Sequence, residues 1–94
     1  MKVFISQPMN GKTNEEILEE RNKAAALYPL AEIVDSFFRD APHDADPLWY
    51  LGESIKLIGE ADVVYFCEGW EKARGCRIEH ECAVAYGKPV FHAK

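Results

Sequence analysis

The residues best placed to do chemistry stand near the end of the chain, in GCRIEHECAVAYGKPV (75–90). There Glu79 precedes Cys82, Ala83 and Tyr86 by three, four and seven positions. In a helix those four share one face, so a carboxylate is set on a surface that the pattern otherwise devotes to packing. A carboxylate in the first turn of a helix is favoured in its ionised form by the dipole and the free N–H groups. If apolar neighbours keep it poorly solvated, it becomes a better nucleophile, as attack on an anomeric carbon requires. The plainer alternatives are a Glu that caps a helix by bonding a backbone N–H, or one partner of an interface ion pair.

Other groups compete for attention. The stretch SQPMNGKTNEE (6–16) joins a strand to a helix and contains Gly11, so it can offer N–H groups to a phosphate or a hydroxyl. It contains neither GxGxxG nor GxxxxGK[ST], and an ordinary strand–helix turn explains it equally well. Trp49 and Trp70 are each able to stack on a base, with Trp49 better suited to the core or a subunit contact. His43, Asp44 and Asp46 crowd one loop and read as a solvated turn rather than as metal ligands. His80 and His92 have no Ser or Cys spaced to work with them, and both read as structural or as subunit contacts.

These groups must be positioned by elements that the chain announces clearly. KVFIS (2–6) is a short apolar run broken at Gln7-Pro8, as a buried strand would be. A helix follows, capped by Thr13 or Asn14 with Glu15 and Glu16 at its positive end, and stopped by Pro29. Its apolar stripe is Ile17, Leu18, Ala24, Ala25 and Tyr28. AEIVDSF (31–37) reads as a second strand ending near Asp35, and RDAPHDADP (39–47) as a polar loop. A helix from about Leu48 to Gly59 turns Trp49, Leu51, Ile55 and Ile58 inward. DVVYFC (62–67) is the most apolar run and the best central strand. After a loop over 68–75 come the last helix, from about Cys76 to Tyr86, and a strand over 89–92. Strands alternating with helices predict one α/β domain over residues 1–94, with an open parallel sheet of about four strands and helices on both faces.

In such sheets ligands bind beyond the carboxyl ends of the strands. Here that edge collects Ser6 to Gly11, Asp35-Ser36 and Glu68-Gly69-Trp70, together with the N-terminal turn of the last helix and Glu79. The formal net charge of −5 argues against a polyanion partner, while one phosphate remains within reach of backbone N–H groups. No apolar run approaches membrane-spanning length, and MKVFIS is too short for a signal peptide. Cys67, Cys76 and Cys82 cannot all pair and match neither a zinc nor a CxxC spacing, so they read as buried thiols of a reducing cytoplasm.

Three stretches, KVFISQPMNG, IKLIGEADVVYF and ARGCRIEHECAVAYGKPV, together resemble the nucleoside 2-deoxyribosyltransferase superfamily, within it a branch of very small bacterial and phage proteins. The third is the most specific, with a Glu, an Ala four residues on and Gly-Lys-Pro all in spacing. The resemblance implies a flavodoxin-like, Rossmann-type sheet and a site shared between subunits; so short a chain is then expected to form a homodimer or larger homo-oligomer, and no cofactor or metal is expected. It implies cleavage or transfer at the N-glycosidic bond of a (deoxy)nucleoside or its 5′-monophosphate, with Glu79 as nucleophile. Ser6, Gln7, Met9, Asn10 and Gly11 would line the pocket, and Arg74 and Gly75 would complete it, Arg74 facing a phosphate. Asp35 and Trp70 join them by their place at the sheet edge. Ser54 stands where characterised members carry an Asp, Glu81 where they carry a Gly, and Ala73 where some carry a Ser. Either Glu53, Asp35 or Glu68 then supplies the missing acid, or the domain binds nucleotides without turning them over.

Overall fold

The computed structural model describes residues 1–36, 38 and 40–93. Phe37, the last residue of the expected second strand, and Arg39, the first of the expected polar loop, lie outside the described residues, as does Lys94. The elements run β1 (Lys2–Ser6), α1 (Asn14–Ala26), β2 (Glu32–Ile33), α2 (Pro47–Glu60), β3 (Val63–Phe66), a 3₁₀ turn (Trp70–Lys72), α3 (Arg74–Ala85) and β4 (Val90–His92). All four strands are parallel in the order β2-β1-β3-β4. This is a small flavodoxin-like, Rossmann-type sheet, and the order reverses direction at β1 and β3.

The two faces follow from the period of two along each strand. Phe4, Val64 and Phe66 point one way and pack with Val34, Ile58, Ala61 and Ala83, beneath α2 and α3. Val3, Ile5, Val63, Tyr65 and Cys67 point the other way and pack with Ala24 of α1. Both central strands are buried along β3 and along all of β1 but Lys2, which is why they read as nearly unbroken apolar runs.

Local chemistry sets the helix ends. Thr13 accepts from the Glu16 N–H at 3.1 Å while Glu16 accepts from the Thr13 N–H at 3.1 Å, a capping box. Asp46 of the expected polar loop accepts from the Trp49 N–H at 2.9 Å and starts α2, with Pro47 in its first turn. Gly87 (φ 76°) turns the chain after α3. Lys88 then reaches back across the fold and donates to the carbonyls of Gly59 (3.0 Å) and Ala61 (2.8 Å) at the end of α2. The Gly-Lys-Pro motif thus ties α3, β4 and α2 together.

Four expectations need correction. β2 is two residues long, because the Val34 carbonyl is taken by the Arg21 guanidinium at 2.8 Å. Leu18 is exposed, while Ile17 and Ala24 carry the buried side of α1. On α2 only Ile58 is fully buried, and Trp49 instead meets Phe38 and Tyr50 edge on. α3 begins at Arg74, two residues before the expected start, so Glu79 lies in its second turn. No described helix is long and apolar enough to cross a membrane.

Candidate active site

At the carboxyl ends of β1 and β3 the chain opens a cleft of about 940 Å³. Its floor is the end of β1 with Ser6, and its walls come from the loop after β1, from Pro47, Leu51 and Ser54 of α2, and from the segment that leads into α3. Glu79 projects into this space from α3 and is only 8% exposed.

The Ser6 hydroxyl donates to Glu79 Oε1 at 2.7 Å, and the Ser54 hydroxyl lies near enough to favour the ionised carboxylate. Burial holds the Glu79 carboxyl above the usual carboxylate range, against the pull of the two hydroxyls. Its place in the second turn removes the direct help of the helix N-terminus, which acts mainly within the first turn. Glu79 is therefore poorly solvated, oriented by hydroxyls and, among the described residues, without a cation bridged to it by any ion pair. The Cys76 thiol lies one turn before it and lines the same cleft; burial raises it too, opposed by the nearby Ser6 hydroxyl.

The structure brings together most of the residues singled out from the sequence. Ser6, Gln7, Met9, Asn10, Ser54, Arg74, Gly75 and Glu79 all line the cleft. Gly11, Asp35 and Trp70 do not. Gly11 has φ 78° and makes the turn in which the Lys12 N–H bonds the Met9 carbonyl at 3.2 Å. At the end of β2 it is Ser36 that reaches the cleft, next to Asp35. Trp70 turns away from it, packs on Phe66 and stacks on two histidines. Gln7 is buried, with its amide donating to the Ile17 carbonyl (3.0 Å) and to Glu20 (3.3 Å), so its side chain serves to hold α1 on the sheet.

Residues not singled out from the sequence supply the charge. Lys12, paired with Glu20 at 3.2 Å, and Lys72 both line the cleft with Arg74. Ala73 is the N-cap of α3 and offers no side chain to the helix amides. The first N–H groups of α3 thus head the cleft wall beside Arg74, an arrangement suited to an anion. The signals were present: Lys12 follows Gly11 directly, and Cys76 precedes Glu79 by one helical turn. Of the acids weighed as replacements for the missing Asp, Glu68 lines the cleft; Asp35 does not, and Glu53 is paired with Lys56 at 2.9 Å. Among the described residues no three His, Cys, Asp or Glu side chains are grouped to hold a metal ion.

A comparison with curated proteins found no match. A family model does match, over residues 1–92. The chain belongs to the family described as domain of unknown function DUF4406.

Proposed function

We propose that the cleft binds a nucleoside or nucleoside 5′-monophosphate and that the domain cleaves or transfers its N-glycosidic bond, with Glu79 as nucleophile. The observation that carries this reading is the buried Glu79 carboxylate, which lines the cleft and accepts from the Ser6 hydroxyl, with Ser54 on the facing wall. Glu79 attacks C1′, the C1′–N bond breaks, and its electron pair leaves with the base, which takes up a proton. Water or a second base then attacks C1′ and frees the carboxylate. Glu68 is the other carboxyl group lining the cleft, which supports it as the acid that protonates the leaving base. A 5′-phosphate suits the wall formed by Arg74, Lys72 and the first amides of α3.

Leu48 and Tyr50 are exposed beside the cleft-lining Pro47 and Leu51, which supports a second subunit covering the cleft in a homodimer or larger homo-oligomer. Three free cysteines, two of them buried, support a reducing cytoplasmic setting.

The test is release of free base from a panel of nucleosides, deoxynucleosides and their monophosphates. Release by the parent and none by a folded Glu79→Ala variant is the expected result. The attacking form is the carboxylate, so the rate should rise with pH through a value above the ordinary range for Glu. Base release unaffected by the substitution would sink the mechanism. One observation favours a second reading, a nucleotide-binding module without turnover: a serine, Ser54, stands against Glu79 where an acid would assist. Tight nucleotide binding with no base released would select it.

A further inference from the structure

His80 of α3 and His92 of β4 meet at their ring tips, Nε2 to Nε2, at 2.9 Å. Their ring centres are 5.1 Å apart, so the rings meet nearly end to end. The Trp70 indole lies over both, 4.1 Å from His80 at 17° and 5.3 Å from His92 at 20°. Phe66 of β3 meets the pair from beside Trp70, 4.9 Å from His80 at 66° and 5.9 Å from His92, and touches the indole itself at 5.4 Å. The 3₁₀ turn, α3 and β4 are thus joined to β3 at one aromatic stack, and the first two of these wall the cleft.

Such a contact needs one donor and one acceptor. It exists when both rings are neutral, in opposite tautomers, and when the pair shares one extra proton. The second proton puts an N–H and a positive charge on both sides of a 2.9 Å gap, and the bond cannot survive. We propose that the His80–His92 pair is a proton-operated latch on the segment that walls the cleft, holding Trp70 with zero or one proton and releasing it with two.

The connection to the cleft is short. The Trp70 carbonyl accepts from the N–H of Ala73, the N-cap of α3, at 3.1 Å, and Ala73, Arg74, Gly75 and Cys76 all line the cleft. His80 is also the chain neighbour of Glu79. Burial, and then the proximity of His92, hold His80 below the ordinary imidazole range, so the latch opens in mild acid. Among the described residues the rings against the pair are those of Phe66 and Trp70, and the titratable group acting on His80 is His92. The charged side chains on the adjoining segments, Glu71, Lys72, Arg77 and Glu81, are exposed, and Arg77 donates to the Glu71 carbonyl at 3.2 Å. The latch does not depend on what the cleft binds.

Amide hydrogen exchange of the whole chain between pH 7.5 and 5, corrected for intrinsic rates, tests it alongside imidazole ¹⁵N shifts. Residues 69–76 should lose protection about tenfold more than β1 and β3 do, in step with the second proton taken up by the pair. His92→Gln, at an exposed position, should remove that step while β1 and β3 stay protected. Loss that merely tracks the core, coincides with the first proton, or persists in His92→Gln would overturn the latch.

Discussion

Ser6 and Glu79 lie 73 residues apart in the chain, yet a buried hydroxyl of one donates to a buried carboxylate of the other at 2.7 Å. The first strand and the last helix thereby share a polar contact in the floor of the cleft. Placing that carboxylate there costs solvation, and hydroxyls alone offset it only in part.

Glu79→Gln should therefore stabilise the fold in a pH-dependent way. Burial raises the folded carboxyl above its ordinary value of 4.5. Below that value both states are protonated and ionisation contributes nothing. As pH rises, the unfolded chain ionises first, so stability falls until the folded value is passed, and is level beyond it. The variant escapes this loss. Urea unfolding should show an advantage on the order of 1 kcal/mol at pH 8 that shrinks as pH approaches 4.5. An equal advantage at both ends would exclude buried ionisation as its source.

Ser6→Ala should act in the opposite direction. It removes a donor to a buried charged group, at a cost of about 1.5–3 kcal/mol where Glu79 is ionised. The loss should be smaller once Glu79 is protonated, and smaller again in the Glu79→Gln background than in the parent at pH 8. An equal loss in both backgrounds would mean that the two side chains do not couple.

Lys88→Met should loosen the end of α2. The ammonium bonds two carbonyls there and opposes the negative end of the helix, worth together about 1–2 kcal/mol. A lower Tm and faster amide exchange in the last turn of α2 are expected, with Lys88→Arg keeping part of the stability. An unchanged Tm would show that the contact contributes nothing in solution.

The cysteines should sort by burial. Desolvation, assisted by the nearby Glu20, pushes the Cys67 thiol up to about 12, and burial raises Cys76 as well. Cys82 is only half-buried. Alkylation of the native protein at pH 8, read by mass spectrometry, should mark Cys82 and spare Cys67 and Cys76 until denaturant is added. Rapid native labelling of Cys67 would contradict its placement beneath α1.

The sheet was legible because β1 and β3 are buried on both faces and leave unbroken apolar runs, and the start of α1 because Thr13, Glu15 and Glu16 mark it by their own chemistry. Glu79 was legible because a charge on an apolar helical face is a local anomaly. The end of β2 was not, since a guanidinium thirteen residues upstream claims the Val34 carbonyl. Neither was the direction of Trp70: alternation along the chain places an indole at the mouth, but its orientation depends on His80 and His92, which come from later elements. The start of α3 was hidden for a related reason. Ala73 caps it without a side-chain bond, so no Ser, Thr, Asp or Asn signals the boundary.

β1 lies in the interior of the sheet, between β2 and β3, although it comes first in the chain. Its longer ladder is with β3, where Val3 faces Val63 and Ser6 faces Phe66, and the Lys2 N–H bonds Asp62 across 60 residues. During synthesis this strand emerges with its main partner still unmade, and can pair at first only with the two-residue β2. Its edge of unpaired N–H and C=O groups, on an otherwise apolar strand, stays open until Val63–Phe66 have left the ribosome. Folding should accordingly be slow for so small a domain and late to commit, with Lys2–Ser6 the segment in greatest need of protection from aggregation meanwhile.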